Sequence, residues 1–171
     1  MTSIPHASPG QDRAPWTIRA SIAGASLLAL VALAGAISGR PPRLELIAQA
    51  GPAIQIHLGA ALLALGVGAW QLIGPKGTPA HRVLGWTWSI AMMGAAISSF
   101  FIRTIFDGWL SPVHILSALT IVSLPAALWA AHRHDVKKHA GGMASLYFGG
   151  MVVAGAFTFA PGRLMWQVFF G

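Results

Sequence analysis

The chain has 171 residues, of which 55 % are hydrophobic and only 9 % charged, so it cannot be an ordinary soluble domain, where about a quarter of residues carry charge. Eleven Lys and Arg against four Asp and Glu give a net charge of +7, but these cations sit between or beside apolar runs, which points to topology and lipid headgroups and excludes nucleic acid as a partner. The absence of cysteine excludes disulfides, thiolate metal sites and Fe–S clusters.

Residues 1–17, punctuated by Pro5, Pro9, Gly10 and Pro15, carry no helical pattern and are expected to form a disordered cytoplasmic N-terminus. Five apolar stretches then approach the ~20 residues that a helix needs to cross the hydrocarbon core. They run over Ile18–Ile37, Pro52–Ile73, Val83–Ile105, Pro112–Ala131 and Gly141–Ala160. Gly39, Pro41 and Pro42 end the first, Gly74, Pro75, Gly77 and Pro79 follow the second, and Pro161 and Gly162 follow the fifth. Ser111 before Pro112 reads as an N-cap with proline at the first helical position. Ala34-Gly35-Ala36 resembles a signal cleavage site, but the apolar run before it is long for a signal peptide, so residues 18–37 are read as a retained first transmembrane helix.

The pattern predicts an all-α integral membrane protein of about five transmembrane helices. Segments two to five form a four-helix bundle within a membrane domain spanning 52–171, with a short C-terminal tail. Ala60, Ala64 and Gly68, like Gly150 and Ala154, repeat small residues at a spacing that lets helices approach closely. Pro125 interrupts the fourth helix and is expected to bend it. A cytoplasmic N-terminus places Arg13, Arg19, Lys76, Arg82, Arg133, Lys137 and Lys138 inside and Arg40, Arg43, Arg103 and Arg163 outside, the favoured arrangement for a multi-pass protein of the bacterial inner membrane with a periplasmic C-terminus.

Four histidines open four successive apolar segments. Because consecutive helices run antiparallel, His57 and His114 fall near the outer face, and His81 and His139 near the inner one. An ionisable group in a membrane segment marks a functional site by default, and neutral imidazole is the form that binds metal. A charged ring near a helix N-terminus is disfavoured by the helix dipole. At 1.5 Å per residue, His57 lies about 7 Å and His114 about 3 Å into their helices. His81 and His139 lie just before their apolar runs, next to the polar loops, which makes the outer pair the better candidate. Single histidines also serve simply as interfacial or inter-helix hydrogen-bonding groups.

The stretch from about Ile54 to Phe170 resembles the bacterial membrane family known as domain of unknown function 2306. The resemblance rests on His57-Leu58-Gly59 opening a helix that ends in Trp70-Gln71, on His81-Arg82-Val83-Leu84-Gly85-Trp86, on His114-Ile115-Leu116-Ser117, on Asp135 through His139 followed by Met143, and on the closing Ala154–Arg163 segment. It implies a membrane fold and no defined reaction. Ala140-Gly141-Gly142 departs from the basic residues that often follow the last histidine in that family.

In arrangement rather than sequence, the alternation of histidines also resembles the transmembrane b-561 cytochromes, which hold one haem near each face between alternate helices. That implies a haem b-binding electron carrier with His57 and His114, and then His81 and His139, as axial ligands. Arg103 and Arg163 outside, and Lys76 and Arg82 inside, are then expected to meet the propionates. Zn or Cu held by the same histidines, with Met143 one turn after His139, is the alternative, as is an accessory subunit of a larger membrane complex. Partners are expected to be the lipid bilayer and a quinone or such a complex. No Ser-His-Asp set, Gly-x-Ser-x-Gly motif or phosphate loop is present, and all four acidic residues lie outside the apolar runs, which disfavours hydrolytic, nucleotide-dependent and carboxylate-driven transport chemistry.

Overall fold

The computed structural model describes residues 16–37, 39–102 and 112–171. The described residues are all helical or in turns and contain no strand: α1 Trp16–Ile37, α2 Glu45–Gln49, α3 Pro52–Ile73, α4 Pro79–Ser99, α5 Pro112–His132, α6 Val136–Tyr147, a π-helical segment Phe148–Val153, α7 Ala154–Thr158 and α8 Leu164–Phe170. α6, the π segment and α7 form one unbroken run, Val136–Thr158. Three of these are long and apolar enough to cross a membrane: α3, residues Val113–His132 of α5, and Val136–Thr158.

The apolar pattern misplaces two helices for one reason. Helical structure extends through polar turns that a search for apolar residues leaves out. The third segment begins at Pro79 instead of Val83, because Thr78 caps it by accepting a bond from the His81 amide at 3.1 Å, and it ends at Ser99. The fifth begins at Val136 instead of Gly141, because Asp135 accepts from the Lys138 amide at 3.1 Å. That bond is the main reason the exposed Asp135 carboxyl sits below the usual aspartate range. His81 and His139 therefore belong to the first turns of α4 and α6 rather than to the loops before them. The proposed Ser111 cap, like Arg103, lies outside the described residues.

α4 sits at the centre. It packs against α3 on one side and α5 on the other, and α6 closes back on α5. Its buried face includes Trp88, Ser89, Ala91, Met92, Ala95, Ala96, Ser98 and Ser99. This shielding explains why α4 can be the more polar of the long helices: its serines face neighbouring helices instead of surrounding lipid. The middle of the bundle is filled by Trp88, Met92, Leu124 and Tyr147 around Ala64. Gly68 is essential there, because even a methyl group would run into the Tyr147 ring and the Trp88 indole. Tyr147 closes this layer by donating its hydroxyl to the Leu65 carbonyl at 3.1 Å.

The α5–α6 connection is a tight reversal. The amides of His134 and Asp135 return to the carbonyls of Ala131 and Ala130 at 3.0 and 2.9 Å, with His134 in the left-handed region at φ 60°. Gly142 then lets α6 press against Ala127. α1 packs on the π segment, where Gly24 accommodates Val152.

Candidate functional site

The two predicted histidine pairs fall at opposite ends of this bundle, and each imidazole is fixed by the neighbouring helix. At the first end, the ring of His81 and the side chain of Gln71 form a reciprocal pair across α3 and α4. Gln71 Nε2 donates to the His81 carbonyl at 2.8 Å, which turns Gln71 Oε1 toward His81 Nδ1, also at 2.8 Å. Gly85 leaves room for the Gln71 amide. The facing oxygen only accepts, so His81 carries its proton on Nδ1. His139 is oriented in the same way, with Nδ1 donating to the Ala127 carbonyl of α5 at 3.0 Å. In a neutral ring this leaves Nε2 of both residues as the lone-pair nitrogen.

At the opposite end, His57 and His114 both attach to the last turn of α4. His57 Nδ1 donates to the Ala95 carbonyl at 2.9 Å and lies 3.2 Å from Ser98 Oγ. His114, only 6 % exposed, uses the other nitrogen: its Nε2 donates to the Ser99 carbonyl at 3.1 Å, and Phe100 packs against its ring. Ser99 Oγ donates to Ser117 Oγ at 2.7 Å, extending a buried polar belt from α3 across α4 to α5. His57, His81 and His139 thus share one tautomer, and His114 has the opposite one.

Among the described residues no group of three or more His, Asp and Glu side chains comes together to hold a metal. The histidines converge at most as pairs. Met143 packs against the hydrophobic core.

The predicted cationic residues divide. Lys76 folds back on the end of α3, where its ammonium donates to the carbonyls of Gln71, Leu72 and Gly74. Those contacts engage all three of its protons. Partial burial pushes this ammonium below the usual lysine range. Arg82 is exposed and makes no ion pair among the described residues. Arg163 is half-buried at the start of α8, where its carbonyl accepts from the Gln167 amide at 3.0 Å.

In the sequence Gln71 and Ser117 stand out only as landmarks of the family resemblance, and Ser98 and Ser99 not at all. The available signal was the same one that singled out the histidines, a polar side chain inside an otherwise apolar run.

The apolar helices define an integral membrane protein. A family model described as "Predicted membrane protein (DUF2306)" matches residues 54–171, and the chain belongs to that family. The matched span holds all four histidines and leaves α1 and α2 outside it. Neither a curated protein nor a solved structure matches the chain.

Proposed function

We propose that the protein is a haem b-binding transmembrane electron carrier, with His81 and His139 as the axial pair and Arg82 as the cation next to it. The observation that carries this reading is the shared orientation of these two rings. Each has Nδ1 tied to an oxygen of an adjacent helix and Nε2 left with its lone pair, the arrangement by which outer hydrogen bonds fix the tautomer and raise the basicity of a ligating imidazole. Both residues stand in the first turns of their helices, at the same end of the bundle. The donor set suits iron: two neutral imidazoles and no thiolate or carboxylate. Haem supplies one-electron chemistry when bound. The protein's part is to orient the ligands and to keep the middle of the bundle dry with Trp88, Met92, Leu124 and Tyr147. His57 and His114 form a weaker pair on this reading, because His114 spends Nε2 on the Ser99 carbonyl.

We further infer that α1 and α4 also cross the bilayer, giving five spans with a four-helix bundle of α3, α4, α5 and the α6–α7 run. The His81 and His139 end is then cytoplasmic in a bacterial inner membrane. Exposed Trp70, Trp86 and Trp129 lie toward that end, as do the exposed cations Arg82, Arg133, Lys137 and Lys138. A quinone or a larger membrane complex is the natural exchange partner.

The test is an absorption spectrum of protein purified from haem-replete cells, with and without dithionite. A Soret band that shifts on reduction is expected, and its absence overturns the reading. One observation favours an accessory subunit without cofactor: every one of the four rings is already engaged with a neighbouring helix, as a purely structural group would be. Alanine at His81 and His139 that lowers thermal stability and leaves cofactor content at zero in both forms would select that alternative. Elemental analysis separates haem iron from Zn or Cu.

A further inference from the structure

The reversal between α5 and α6 gathers Arg133, Lys137 and Lys138 around a single acid, Asp135. That acid is fully used. One of its oxygens meets the Lys138 ammonium at 3.0 Å and the other accepts from the Lys138 amide at 3.1 Å, so Asp135 and Lys138 cancel each other's charge. Arg133 and Lys137 are exposed and have no ion-pair partner among the described residues. Arg43 and Lys76, by contrast, are satisfied within the protein, the first by Glu45 at 3.4 Å and the second by carbonyls at the end of α3.

The backbone keeps the two uncompensated cations together. The Asp135 amide returns to the Ala130 carbonyl at 2.9 Å and the His139 amide to the Asp135 carbonyl at 3.0 Å, so Arg133 and Lys137 stand on a closed turn instead of an open loop. Both helical runs that meet in this turn are long and apolar enough to cross a membrane, which puts the turn where the chain leaves the hydrocarbon. Exposed Trp129 lies one helical turn before Arg133, with the His132 ring 5.5 Å from it, and exposed Val136 lies between the two cations. An indole favours the headgroup layer, so the guanidinium and the ammonium reach phosphate depth. Cations there call for an anion, and Trp129 and Val136 call for apolar matter beside it. A soluble anion meets only the first demand. A zwitterionic headgroup brings its own ammonium against Arg133 and Lys137, which offsets the attraction. A phosphodiester without that ammonium, carried on acyl chains, meets both.

We propose that the α5–α6 reversal is a binding site for an anionic glycerophospholipid, whose phosphate is held by Arg133 and Lys137 and whose acyl chains lie along Trp129 and Val136. Neither cation belongs to the haem proposal, and lipid binding does not depend on it.

Native mass spectrometry of the purified full-length protein, released from micelles doped with equal amounts of dioleoyl phosphatidylglycerol and dioleoyl phosphatidylcholine, is the test. A preference for retaining phosphatidylglycerol of roughly 25-fold is expected, about fivefold for each cation. Arg133→Gln and Lys137→Gln should each lower it by about fivefold. Asp135→Asn combined with Lys138→Gln removes a cation and an anion together and keeps a capping residue at 135, so the preference should stay as it is. Arg40→Gln, at an exposed cation on the connection after α1, should also leave it unchanged. Equal retention of the two lipids overturns the proposal, and the wild-type protein alone decides this even where a variant fails to fold. A loss in Arg40→Gln as large as that in Arg133→Gln identifies diffuse attraction and overturns it too. Displacement of the bound lipid by inorganic phosphate identifies a soluble-anion site and has the same consequence.

Discussion

The two ends of the bundle hold the same residue type in different ways. At the His81 and His139 end, Gln71 and the Ala127 carbonyl each take the Nδ1 proton, and the two rings keep the same nitrogen in reserve. At the His57 and His114 end, the rings settle on Ala95 and Ser99 of one helix in opposite tautomers, joined to a belt of serines. Depth along the helix therefore predicts little about how a histidine ring is held. What its other nitrogen meets is decisive, because that contact determines which lone pair remains.

The sharpest way to break this comparison is to remove ligands one end at a time. Haem content, read from the reduced-minus-oxidised spectrum, should vanish in His81→Ala and in His139→Ala and persist in His57→Ala and His114→Ala. The reverse outcome would exchange the roles of the two ends. A smaller effect is expected at Gln71, which touches no cofactor. Gln71→Leu should weaken haem retention by roughly 10- to 100-fold, as loss of an outer hydrogen bond to a ligating imidazole typically does. The matching change at the other end, Ser98→Ala, should leave the spectrum as it is. The smallest effect concerns the reversal next to His139. Because His134 adopts φ 60°, His134→Gly relieves a left-handed side-chain penalty and should raise unfolding stability by about 1 kcal/mol in a denaturant titration, with the spectrum unmoved.

Much of the architecture was legible from apolar runs alone: α3 spans Pro52–Ile73, as read from the sequence, and α5 differs from its expected range by a single residue at the end. The starts of α4 and α6 were not legible, because Thr78 and Asp135 add polar first turns that no apolar search includes. The four histidines were visible as residues, and their attachment to opposite ends follows from helix direction. Their tautomers were not visible, since the deciding partners are backbone carbonyls of Ala95, Ser99 and Ala127, which have no side-chain signature. Lys76 was legible as a charge, but its fold-back onto three carbonyls at the end of α3 depends on a local turn around Gly77, at φ 75°.

The π segment at Phe148–Val153 gives the run from Val136 to Thr158 two different partners. Before it, His139 and Gly142 meet α5 at Ala127; Val152 within it and Gly155 just after it meet α1 at Gly24 and Leu28. A wider turn advances the angular phase of everything that follows, so it acts as a gear between two interfaces that a uniform α-helix would hold in fixed relation. The family match begins after α1, which packs on the π segment and also on α3, α6 and α8, and the matched span carries all four histidines without it. Shortening the Gly149-Gly150 pair by one residue would turn the upper half of that run away from α1 while leaving both histidine ends in register. The first helix would then be held only by its contacts with α3 and α6.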